Sequence, residues 1–142
     1  SALRKLIEEA SRYAEDVFDP EQVMMMRHIC EQADGGMAMI LCPVGSVEEE
    51  ILFRERLPQT FPSQFVRWVF VSEAWSADMR GAADTLPSKH PLRIEIVAFV
   101  ATEGATGEKL VAHRQIYRPA IGGAKLLPLI FERRETQFMM EK

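Results

Sequence analysis

From Phe65 onward the chain changes its hydrophobic period. The segments Phe65 to Trp75, Leu92 to Glu103 and Glu108 to Arg118 are rich in β-branched and aromatic residues repeating every second position. A repeat of two puts alternate side chains on opposite faces of a strand, so these segments commit the second half of the chain to a sheet. Gly104-Ala105-Thr106-Gly107 is a short connection between the last two, which predicts an antiparallel hairpin. A further strand is expected over Leu126 to Phe131, at a sheet edge because Pro128 cannot donate to a ladder. Met37 to Cys42, bounded by Gly35-Gly36 and Pro43, has the length and punctuation of a short buried strand.

The first half reads differently. Leu3, Leu6, Ile7, Ala10, Tyr13, Ala14, Val17 and Phe18 recur at steps of three and four, which places them on one stripe of a helix over about residues 2 to 18. Asp19-Pro20-Glu21 has the order of an N-cap, a first-turn proline and a first-turn acid, and predicts a second helix reaching Cys30 and stopped by Gly35-Gly36. Ser46-Val47-Glu48-Glu49 is a capping box, so a third helix is expected to about Leu57, closed by Pro58 and Pro62. The expected fold is α+β, an antiparallel sheet of about five strands with about three helices packed on it. We read residues 1–142 as a single domain with a helical half over about 1–60, a sheet half over about 61–132 and a tail over 133–142.

Composition narrows the classes of function. With 142 residues, 47% of them hydrophobic, the chain can bury a core without a metal or a disulfide. Its 17 basic and 21 acidic residues give a net charge of -4, which disfavours a nucleic-acid partner, and Arg54-Glu55-Arg56 and Arg133-Arg134 are too short and mixed in sign to form a basic patch. No run approaches the roughly 20 apolar residues of a membrane span, so no membrane partner and a cytoplasmic location are expected. Cys30 and Cys42 lack the close pairing of metal or redox motifs and read as buried apolar side chains.

Surfaces for a protein partner are suggested by two apolar clusters. Met24, Met25 and Met26 are consecutive, and in a helix three neighbours fan across most of a turn, so they cannot all face one core. In the tail, Phe138, Met139 and Met140 are the candidate anchor, on the chain's own helices or on a neighbouring subunit. The connection over 76 to 91 is long enough to be functional or mobile.

Candidate chemistry lies among charges that interrupt the strands. Glu73, Trp75, Arg93, Glu95 and His113 are candidates for a shallow polar ligand site on the sheet face, with Trp75 as its apolar wall. The plainer alternative has opposite charges, Arg114 and Arg118 included, meeting across strands. No catalytic residue is assigned. His28 and Cys30 stand two apart in the expected helix and point away from each other, which rules out a shared metal there, and His90 reads as a loop histidine. Nucleophile-elbow, phosphate-loop, dinucleotide and zinc-protease motifs are absent, so no cofactor or metal is expected.

The stretches Phe70-Val71-Ser72-Glu73-Ala74-Trp75, Pro87-Ser88-Lys89-His90-Pro91-Leu92-Arg93-Ile94-Glu95 and Ile116-Tyr117-Arg118-Pro119 together resemble a small family of uncharacterised bacterial and phage-associated proteins. The resemblance covers about residues 65 to 130. It implies an acid and an aromatic at the end of one strand and a Pro-x-Arg-x-Glu entry into the next, matched by Glu73, Trp75, Arg93 and Glu95. It implies no reaction, and by analogy an accessory, assembly or host-interaction role. Two readings are expected: a non-enzymatic interaction protein that forms a homo-oligomer through the methionines and the tail; or a small-ligand-binding protein or enzyme using the polar sheet face.

Overall fold

The computed structural model describes residues 1–43, 45–78, 89, 92–132 and 136–139, the backbone alone for 78 and 136–139. It begins with helix α1, Ala2–Val17, capped by the Ser1 hydroxyl, which accepts from the Arg4 amide at 3.2 Å. The expected stripe is its buried face: Leu3, Leu6, Ile7, Ala10 and Ala14 pack on Val69, Val71, Val97, Phe99 and Ala101 of the sheet. Each large apolar side chain fully buried here contributes about 1.5–3 kcal/mol, so this layer carries much of the stability.

The expected second helix does not form. Asp19 does cap, its carboxylate accepting from the Glu21 amide at 2.9 Å, but the capped unit is a single turn. The chain then runs extended through Met24 to Met26 into strand β1, Arg27–Glu31. A hairpin joins β1 to β2, Met37–Leu41, in antiparallel register with His28 opposite Ile40. Gly35 turns it at φ +87°, a conformation costly for residues with a side chain, and so Gly35-Gly36 marks a hairpin turn and not a helix end. Four of the five residues of β1 are buried, so it lacks the alternation that reveals a strand with one wet face.

The capping box forms as expected, with Ser46 Oγ accepting from the Glu49 amide at 3.2 Å. The segment it opens continues past Leu57: helix α2, Val47–Ile51, passes into a π turn, Leu52–Arg56, and then a 3-10 helix, Leu57–Ser63, with Pro58 in its first turn. Among the described residues two helical segments therefore stand where about three were expected, and the N-terminal half supplies two strands.

The long strands follow the expected periods closely: β3 is Arg67–Asp78, β4 is Ile94–Glu103 and β5 is Lys109–Tyr117. The β4–β5 hairpin needs glycine at 104, where an added Cβ would lie 2.7 Å from the Val66 carbonyl oxygen. The strand expected over Leu126 to Phe131 is broken at Pro128 into β6, Lys125–Leu126, and β7, Ile130–Phe131, both pairing with β5. Strand β8, Thr136–Met139, pairs with the end of β3. All pairs are antiparallel, in the order β2-β1-β3-β4-β5-β6, so among the described residues the sheet exceeds the expected five strands. β3 extends to Asp78; the rest of the connection to Pro91, His90 included, lies outside the described residues except Lys89.

Candidate functional site

Directly opposed residues of antiparallel strands share a face, so the register sorts the five candidate ligand residues. Trp75 opposes Glu95, which puts both, with Glu73 and Arg93, on the face that α1 covers. His113 opposes Ala98, an odd number of positions from Glu95, and so lies on the other face. The five-residue polar site is thus divided by the sheet itself. On its own face His113 donates from Nδ1 to the Glu132 carboxylate.

Of the four that remain together, Glu73 and Glu95 hold the crossing 19–26 segment in place, Glu95 through Arg118. Glu73 is buried, at 3% exposure, and its Oε2 accepts from the Met24 amide at 2.7 Å. Arg118 forks onto Glu95 at 2.7 and 3.1 Å and donates to the Pro20 carbonyl at 2.9 Å. Its guanidinium is pushed further up in pKa by the Glu95 hydrogen bonds, with Glu73 adding to the field. The Arg93 guanidinium lies 4.7 Å from the centre of the Trp75 ring. Opposite charges meet across strands here, and through Glu73 and Arg118 they fasten the 19–26 segment, a turn followed by extended chain, over the end of the sheet.

The candidate interface residues are also redistributed. On an extended backbone Met24 is buried, Met26 half-buried and Met25 exposed, so no methionine helix face exists. In the tail, the backbone of Phe138 and Met139 pairs with Ser76 and Trp75 as part of β8, and Met140 lies outside the described residues.

A different site assembles on the second face. His28, Phe70 and Val100 form one cross-strand row, and Cys30, Trp68, Thr102 and Lys109 the next. The π and 3-10 turns cross above them, leaving a cleft of about 450 Å³ with Trp68, Phe70, His28 and Val100 as floor, and Arg54, Glu55, Pro58 and Gln59 facing them. Lys109 closes one side, its ammonium donating to Thr102 Oγ1 at 3.0 Å. The aromatic floor is braced from within: Phe61 meets the Trp68 ring edge-on at 5.3 Å and the His28 ring at 5.1 Å. Such edge-to-face contacts add about 0.5–1.5 kcal/mol beyond area burial.

His28 ties the floor to the wall. In a π turn the Phe53 carbonyl would accept from residue 58, which is a proline without an N–H, and the Leu57 amide is given to Leu52. The His28 ring takes the vacant role, with Nε2 2.9 Å from the Phe53 oxygen. A carbonyl only accepts, so Nε2 carries the proton. Burial lowers the His28 pKa, the hydrogen bond to Phe53 opposing it, and the ring is a neutral donor at pH 7. Nδ1 then presents a bare lone pair, buried and without a hydrogen-bond partner. The thiols offer no chemistry beside it: both are buried, and burial pushes Cys30 up to about 12. No group of three metal-ligating side chains occurs among the described residues, and no helix of the described residues is long and apolar enough to cross a membrane.

Reading the sequence placed His28 on a helix and so missed this cleft. The signal available was Pro58 five residues after Phe53, which leaves a carbonyl in need of a donor, but nothing in the sequence named His28 as that donor. No protein-family model, curated protein or solved structure matches this chain.

Proposed function

We propose that this chain is a small-molecule-binding protein whose ligand lies in the cleft between the 52–59 turns and the sheet. The observation that carries the reading is the floor: Trp68, Phe70 and His28, buried and braced by Phe61, line an open space of about 450 Å³. Ligand sites are typically clefts of roughly 300–1,000 Å³ with apolar and aromatic linings and a few placed polar groups. A well-packed domain has little other reason to leave aromatic rings facing a void. The test is an NMR titration with 2-naphthylmethanol, a neutral planar probe, following the indole N–H signals of Trp68 and Trp75, assigned with Trp75→Phe. Saturable movement of the Trp68 signal supports the reading. Signals that stay fixed up to the probe's solubility limit overturn it.

A second reading, an interaction protein that self-associates, is favoured by strand β2. It ends the strand order, and Met37, Met39 and Leu41 are exposed along it at 44%, 40% and 47%. No charge or proline interrupts Met37–Leu41, which leaves the strand without the usual guards of a sheet edge. A solution mass above that of one chain, reduced by Met39→Lys, supports this reading; a monomer at all concentrations overturns it.

A further inference from the structure

The cleft's polar groups specify more than an apolar occupant. Arg54 and Lys109 bring two positive charges to the cleft and Glu55 one negative, a surplus of one cation in a chain whose net charge is -4. The two cations are differently held. The Lys109 ammonium is tied to the floor strand by Thr102 Oγ1 at 3.0 Å, so although the residue is exposed its charge is held at the rim of the cleft. Arg54 meets Glu55 at only 3.7 Å, on a Glu55 side chain that is 62% exposed, and so loose a pair leaves the guanidinium able to take another anion at little cost. Arg54 and Glu55 both belong to the π turn whose Phe53 carbonyl is held by His28, so the cationic wall is fixed against the aromatic floor by one buried hydrogen bond.

Resting on the proposed ligand cleft, we infer that its ligand class is the planar aromatic carboxylates, the ring lying on Trp68 and Phe70 and the carboxylate between Arg54 and Lys109. A neutral ring of the same shape forgoes both cations. A cationic ring meets them as like charges.

The experiment compares 2-naphthoate with 2-naphthylmethanol by calorimetry and by the Trp68 indole signal, on the full chain and on Arg54→Met, Lys109→Met and Glu55→Gln, each checked for folding by circular dichroism. Two modest charge contacts give the naphthoate an expected advantage of about tenfold. Either cation's removal should cut that advantage about threefold. Glu55→Gln should raise naphthoate affinity, and added salt should lower it. Equal binding of both probes overturns the carboxylate inference and leaves the cleft standing. Binding of neither overturns the cleft reading and the inference with it. A naphthoate advantage undiminished in both Arg54→Met and Lys109→Met overturns the placement of the carboxylate.

Discussion

The His28 ring and the Phe53 carbonyl, 25 residues apart in sequence, meet at 2.9 Å and close the one backbone gap that Pro58 opens in the π turn. Because that bond is buried and local alternatives are committed, it holds the wall of the cleft to its floor. His28→Leu leaves the Phe53 oxygen unpaired, and a buried acceptor without a partner costs about 1–3 kcal/mol. Urea denaturation should show a loss of that size. His28→Gln, whose amide can donate toward the same oxygen, should recover part of it. A loss below about 0.5 kcal/mol for His28→Leu, the size of an ordinary surface substitution, would show that the turn holds its shape without the histidine.

The other buried anchor is Glu73, which receives the Met24 amide at 2.7 Å on the opposite face of the sheet. Its removal should act on the crossing segment first. For Glu73→Ala we expect a destabilisation of about 1–3 kcal/mol from the stranded donor and faster hydrogen exchange at the Met24 amide than at the amides of β3. Glu73→Gln keeps an acceptor oxygen and should cost less. Uniform acceleration across the sheet would mean that Glu73 supports the whole fold and not that segment in particular.

These two anchors also mark where the sequence was legible. Helix α1 was readable because its period of three and four faces a single core, and β3, β4 and β5 because they are long runs rich in β-branched and aromatic residues, although β3 and β4 are buried on both faces. β1 was not, because it is only five residues long and buried on both faces, which leaves no alternation to read, and because Asp19 and Glu21 carry true capping chemistry spent on one turn. Misplacing β1 hid the cleft, since His28 takes its position from the register with Phe70. It also joined His113 to Glu73, Trp75, Arg93 and Glu95: register decides the face, and register comes from strand pairing, which no single segment encodes.

Burial makes a separate statement about the cysteines. With its thiol pushed up to about 12, Cys30 has almost no thiolate at neutral pH, and the thiolate is the reactive form. Cys42 is raised as well, by burial first and then by Glu50 and Glu49. The native chain at pH 8 should resist iodoacetamide at both positions and take up two equivalents once unfolded in urea. Rapid native labelling at Cys30, read by peptide mass, would mean that β1 opens easily and that the cleft floor is less firmly held than its contacts indicate.

The lowered His28 pKa ties the fold to pH, and its sign follows from the two end states. In the folded chain burial among Phe53, Phe61 and Phe70 favours the neutral ring, whereas in the unfolded chain the imidazole protonates near its ordinary value of about 6.5. Below that value the unfolded state binds the extra proton, so stability falls with falling pH. His28 therefore contributes its full share above about pH 6.5 and loses it progressively as the pH falls toward and through the depressed folded value. Melting temperatures of the parent and of His28→Gln, measured from pH 8 to pH 5, should converge as the pH drops, because the glutamine has no proton to gain. Parallel curves for the two proteins would assign the acid sensitivity to other groups and would remove the claim that the histidine is held neutral against Phe53.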